Sequence, residues 1–226
     1  MRILVALNQL LWCLLGNGVW QLSALAGSQL ASTAVQLKDF EAQHATADAH
    51  QVVDWVIDSQ NNQALPFLVI DKVQAKVFAF RADGGFLGAT PALVGLTPGD
   101  ESVPGIGSRT LASIRPDERT TPSGRFYATL GRNLQNREIL WIDYQGGLSL
   151  HRAITGARSE QRALRLSTPT SKDNRITYGC INVPAPFFDK VVRPNASAKG
   201  AMVYILPETK SAQQVFGFKP RVQKQD

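Results

Sequence analysis

Glu138-Ile139-Leu140-Trp141-Ile142-Asp143-Tyr144-Gln145-Gly146-Gly147-Leu148-Ser149-Leu150-His151-Arg152 reads as two strands around a tight turn. Aliphatic and aromatic residues fill both arms, and Gln145-Gly146-Gly147 supplies the permissive backbone that a reversal needs. This is the clearest hairpin in the chain. Its second arm ends on His151, and the other two histidines, His44 and His50, lie far upstream.

Working outward, the same pattern recurs on both sides. Pro66–Asp71 and Ala75–Phe80 read as a second pair of strands, Ala82-Asp83-Gly84-Gly85 as the next turn, and Phe86–Gly95 as a third strand. Leu96–Ser108 is a Gly/Pro-rich loop, and Thr120-Thr121-Pro122-Ser123-Gly124-Arg125-Phe126 is a turn feeding a further strand. Downstream, Ala157–Asp173 is a polar connection, Asn174–Val183 is apolar and strand-like, and Ala201–Leu206 closes the set. Helical signals are few. Val52, Val53, Val56 and Ile57 recur at helical spacing between Thr46 and Ser59, and Pro184–Val192 has a proline start. The chain is therefore expected to be mainly β, a sandwich or partly open barrel with one or two short helices.

Length and charge narrow the function. A chain of 226 residues holds one sizeable domain plus segments for targeting and tails. The formal charge of +6 favours anionic polymers, including those of a cell envelope. Its lysines and arginines are scattered rather than arrayed in a stripe, which argues against nucleic acid. Gly105, Gly107 and Gly124 make no phosphate loop, because no Gly-Lys-Ser/Thr follows them. His44 and His50 lie six residues apart without companion thiols, so no metal is expected, and nothing calls for an organic cofactor.

Residues 1–26 read as a secretory signal peptide, with Arg2, two apolar runs and the small-residue site Ala24-Leu25-Ala26; the other reading is a retained anchor. Residues 27–64 then form a linker and short helix, 65–206 the catalytic domain, and 207–226 a basic flexible tail. The chain has two cysteines, Cys13 and Cys180, and removal of the signal leaves Cys180 alone. An exported chain with one thiol forms no internal disulfide, and a free thiol is a liability in an oxidising compartment. Cys180 is thus read as a nucleophile, with His151 as its base.

The stretch Thr177-Tyr178-Gly179-Cys180-Ile181-Asn182 resembles the Ser/Thr-His-Gly-Cys-hydrophobic-Asn signature of the L,D-transpeptidase (YkuD-type) catalytic domain. Tyr178 stands where that family has histidine. Two other segments are similar to the family's: Val69-Ile70-Asp71-Lys72 with the aromatic strand and Asp-Gly turn after it, and Thr-Pro-x-Gly-x-Phe at residues 121–126. The 28 residues between His151 and Cys180, 152 to 179, exceed the usual family spacing and suggest a loop insertion, even a lid.

The resemblance implies a YkuD-like fold and a periplasmic or envelope enzyme, monomeric, that remodels peptidoglycan. A tetrapeptide stem would acylate Cys180 and then be passed to an amine, giving a cross-link, a protein attachment or a D-amino-acid exchange. It also implies that a backbone carbonyl after His151, such as that of Arg152, fixes the ring. The amides of Gly179 and Cys180 are oxyanion-hole candidates, Thr177, Tyr178 and Asn182 shape the turn, and Arg175 and Arg152 either bind substrate carboxylates or stay solvated. The alternatives are a murein cysteine hydrolase (L,D-carboxypeptidase, amidase or endopeptidase) and a catalytically inactive wall-binding module.

Overall fold

The computed structural model describes residues 39–154, 158–196 and 199–219. The proposed signal peptide and the last seven residues lie outside them. Ten strands form the framework: β1 Phe67–Asp71, β2 Lys76–Phe80, β3 Phe86–Pro91, β4 Val94–Gly95, β5 Gly124–Arg132, β6 Glu138–Asp143, β7 Leu148–Arg152, β8 Arg175–Thr177, β9 Ile181–Val183 and β10 Ala201–Ile205. Eight of them make one sheet in the order β3-β2-β1-β10-β5-β6-β7-β9, and β4 pairs with β8. The β1–β10 and β7–β9 pairs are parallel and the other neighbours in the large sheet antiparallel. The protein is mainly β, as the strand pattern predicts.

Side chains alternate across a strand, and here both faces are covered. One face of β1, β2 and β10 sends Leu68, Ile70, Val77, Ala79, Val203 and Ile205 into a core shared with Leu140, Leu150, Ile181 and Val183 from the far half of the sheet. That shared core makes the architecture a sandwich. It is closed by a continuous helical stretch in which α3 (Ala185–Phe187) passes through a π-helical turn, Phe188–Val192, into α4 (Arg193–Ala196). The opposite face presents Phe67, Val69, Phe78, Phe80, Met202 and Tyr204 to a second, aromatic core under the helix α1, Ala47–Ser59.

Helix α1 starts where Thr46 can cap it: the Thr46 hydroxyl oxygen accepts from Ala49 N. That hydroxyl also donates to Asp71 Oδ2 at 2.8 Å, and Asp71 Oδ1 accepts from Gln74 N, so one buried carboxylate ties the helix start to the β1–β2 turn.

Three segments differ from the sequence reading. The third strand is two: β3 ends at Pro91, and Leu93 exchanges backbone hydrogen bonds with Asn182 at 2.8 and 2.9 Å, drawing the chain off β2 and onto the cysteine motif. The polar connection contains α2, Arg162–Ser167. The region from Pro207, read as a mobile tail, is packed as far as Phe218. It forms α5 (Ala212–Phe216), buries Ala212, and stacks Phe218 on Trp55 at 5.1 Å, because its apolar side chains complete the aromatic core. Phe40, in the presumed linker, is buried in the same core.

Candidate active site

The parallel register of β7 on β9 sets His151 opposite Asn182 and Leu150 opposite Ile181. Cys180 immediately precedes β9, which brings it level with Ser149. Parallel strands need a crossover of a dozen residues or more, and the 28 residues between His151 and Cys180 supply it.

The thiol sits in a short, crowded turn. Gly179 has φ +128°, a conformation that favours glycine, and a Cβ there would lie 2.8 Å from Thr120 O. Thr177 Oγ1 accepts from Gly179 N at 3.1 Å and donates to Cys180 O at 2.7 Å, closing the turn on itself. Thr121 Oγ1 donates to Gly179 O at 2.7 Å and accepts from Gly95 N at 2.8 Å. Gly179→Ala is therefore expected to cost about 1–3 kcal/mol in thermal unfolding and to slow iodoacetamide capture of Cys180 in the protein that remains folded.

Cys180 is half-buried, its Sγ 3.5 Å from Ser149 Oγ and 3.4 Å from Gly147 O. Burial alone would push the thiol up, but the hydrogen bond and charge of His151, helped by Ser149, bring it below its ordinary value. His151 Nδ1 lies 2.9 Å from Arg152 O, and Nε2 lies 3.1 Å from Asn182 Nδ2. A thiol, an imidazole and a carbonyl that orients the imidazole thus stand together, the arrangement a nucleophile and its base require.

Cys180, Gly179 and Tyr178 line a cleft together with Ile106, Arg109 and Thr120. Tyr178 lies under the Arg119 guanidinium, 4.0 Å from its ring centre, so the position that departs from the signature supplies an aromatic surface rather than a second imidazole.

The two arginines are placed elsewhere. Arg175 forms an ion pair with Glu208 and donates to Lys72 O at 3.2 Å. Arg152 pairs with Asp189 at 2.5 Å and lies over the Phe188 ring, leaving only its carbonyl in the site. Both guanidinia are engaged within the fold. Gly179 N–H, an expected oxyanion donor, is committed to Thr177. Sequence reasoning missed Ser149 and Arg162, and took Thr121 only as the start of the segment at 121–126. Two-residue spacing from His151 would have found Ser149, since alternation puts both on one face of β7; nothing local marks Arg162. Among the described residues no three His, Cys, Asp or Glu side chains converge as metal ligands, and no helix is long and apolar enough to cross a membrane.

No protein-family model and no curated protein matches the chain. Solved structures do. An L,D-transpeptidase, LdtMt1, solved in complex with imipenem is 16% identical over 62% of this chain and 58% of its own, with a TM-score of 0.36. The catalytic domain of the E. faecium L,D-transpeptidase is 16% identical over 62% of this chain and 95% of its own, with a TM-score of 0.32. The helical cell shape determining protein Pgp2 of Campylobacter jejuni is 13% identical over 74% and 58%, with a TM-score of 0.40. The chain thus spans 58% of the length of the first and third.

Proposed function

We propose that the chain is an L,D-transpeptidase that acts on tetrapeptide stems of peptidoglycan in the cell envelope. The observation that carries the chemistry is the Cys180 thiol on the wall of a cleft, lowered by a His151 whose far nitrogen meets the Arg152 carbonyl. The substrate class rests on the signature at residues 177–182.

In this reading His151 Nε2 takes the Cys180 proton and the sulfur electron pair attacks the carbonyl carbon of the stem's third residue. The carbonyl electrons move to oxygen, facing the Cys180 N–H, the amide that the turn does not consume. Collapse expels D-alanine, whose nitrogen takes the proton from His151, and leaves a thioester. An acceptor amine then attacks the thioester and restores the thiol.

Intact-mass spectrometry of the protein incubated with tetrapeptide muropeptides tests this. The expected result is an acyl adduct and free D-alanine, both lost in Cys180→Ala. Shortened stems without any amine-linked product would make the protein a hydrolase. No adduct, with Cys180 still open to iodoacetamide, would overturn the substrate class.

A further inference from the structure

The crossover between β7 and β9 reaches into the site through one side chain. Arg162, on α2, places Nη1 2.5 Å from Asn182 Oδ1, while its Nε pairs with Glu160 Oε2 at 2.7 Å. Asn182 is 1% exposed, and its other amide atom lies 3.1 Å from His151 Nε2. A guanidinium has donors only, so the Asn182 atom facing it has to be oxygen and the one facing His151 has to be the NH₂ group. That NH₂ group needs an acceptor, which makes Nε2 the unprotonated nitrogen of the neutral ring. The proton is then on Nδ1, donated to Arg152 O at 2.9 Å.

We infer that Arg162 is a positioning residue: by locking the Asn182 amide it holds His151 in the tautomer whose lone pair is on Nε2, where it accepts from Asn182 at rest and takes the Cys180 proton when the thiol displaces that contact. The inference rests on reading Cys180 and His151 as the reacting pair. Without Arg162 the amide is free to turn over and offer Oδ1 to Nε2. That arrangement favours a proton on Nε2, where the ring has no lone pair left for the thiol. Among the described residues, the charged or titratable groups around the ring are the Cys180 thiol, Arg162 with Glu160, and Arg152, whose guanidinium turns away to Asp189 and Glu138.

The test is the pH profile of Cys180 alkylation by iodoacetamide in the full chain, with long-range ¹⁵N–¹H spectra of the His151 ring. Arg162→Gln is expected to slow alkylation near neutral pH by about 10- to 100-fold, by analogy with the loss of a partner that orients a metal-bound histidine. It should also change the ring's tautomer signature. Arg162→Lys, which keeps a donor for Oδ1, should restore most of the rate. In an Asn182→Ala background, Arg162→Gln should add nothing, because the coupling runs through the amide. A folded Arg162→Gln protein with native profile and tautomer would overturn the inference while leaving the Cys180–His151 pair standing. If the native protein itself alkylates like an ordinary thiol, the reading of the pair falls, and the inference with it.

Discussion

His151→Ala is expected to slow acylation of Cys180 by about 10²- to 10⁴-fold, the usual contribution of a positioned base, with no loss of the fold. His151 is half-buried at the end of β7 and belongs to neither apolar core. The pH dependence supplies the sign. In the native protein burial raises the thiol, while the His151 and Ser149 interactions outweigh it and lower it. Removing His151 leaves the burial and deletes the larger opposing effect, so the reactive thiolate should form only at higher pH than in the native protein. Alkylation rates from pH 5 to 10 would show this as a displaced rise. A profile unchanged by His151→Ala would mean that the imidazole does not act on the thiol.

The second large effect is on stability. Lys72, with a fully buried side chain, donates to Asp100 Oδ1 at 2.8 Å and to Thr121 O at 2.9 Å, and lies 3.5 Å from Glu208 Oε1. Glu208 in turn holds Arg175. Two cations and two carboxylates balance beneath the site. Asp100 does the most, since its oxygens also accept from the amides of Glu208, Thr209 and Lys210 and from the Thr209 hydroxyl. Asp100→Ala takes from the buried ammonium its nearer carboxylate, leaving it Glu208 at 3.5 Å, and removes the acceptor of three amides, which is expected to cost about 3–5 kcal/mol in chemical denaturation.

The same group sets an acid limit. Burial opposes the charge of Asp100, but Lys72, Thr209 and the backbone donors hold its carboxyl far below the usual carboxylate range. A depressed folded value stabilises the protein at pH above the ordinary carboxylate value, and that stability is lost as pH falls below it. The native protein should therefore lose stability steeply below about pH 4, where an unfolded Asp begins to bind its proton, and Asp100→Ala should flatten that dependence. Thr121 links this network to the cysteine turn: its carbonyl accepts from Lys72 and its hydroxyl donates to Gly179 O. Slower alkylation in Asp100→Ala is the expected companion result.

What was legible in the sequence was what neighbouring residues encode. Short aliphatic and aromatic runs bounded by turn residues place the arms of β1, β2, β6 and β7, because strands covered on both faces read as continuous apolar segments. Thr46 and Asp48 were the two candidate caps for α1, legible because a cap acts over three residues, and the structure uses Thr46; Gly179 marks a turn because only its own φ is at issue. Cys180 and the histidine on a strand end were visible for the same reason.

What only the tertiary structure decided involves partners far apart in the chain. The tail folds back because Phe218 finds Trp55 across the aromatic core, a contact with no local signature. Arg175 and Arg152, read as substrate ligands, are engaged by Glu208 and Asp189, 33 and 37 residues away, and a guanidinium's role follows from the carboxylate it meets. The gap between His151 and Cys180 becomes a parallel crossover only once β7 and β9 are in register, and that register also delivers Asn182 to the imidazole and Arg162 to Asn182. Backbone preference and hydrophobic pattern act over a few residues and so are written in order along the chain; charge pairing and strand register join residues that only folding makes neighbours.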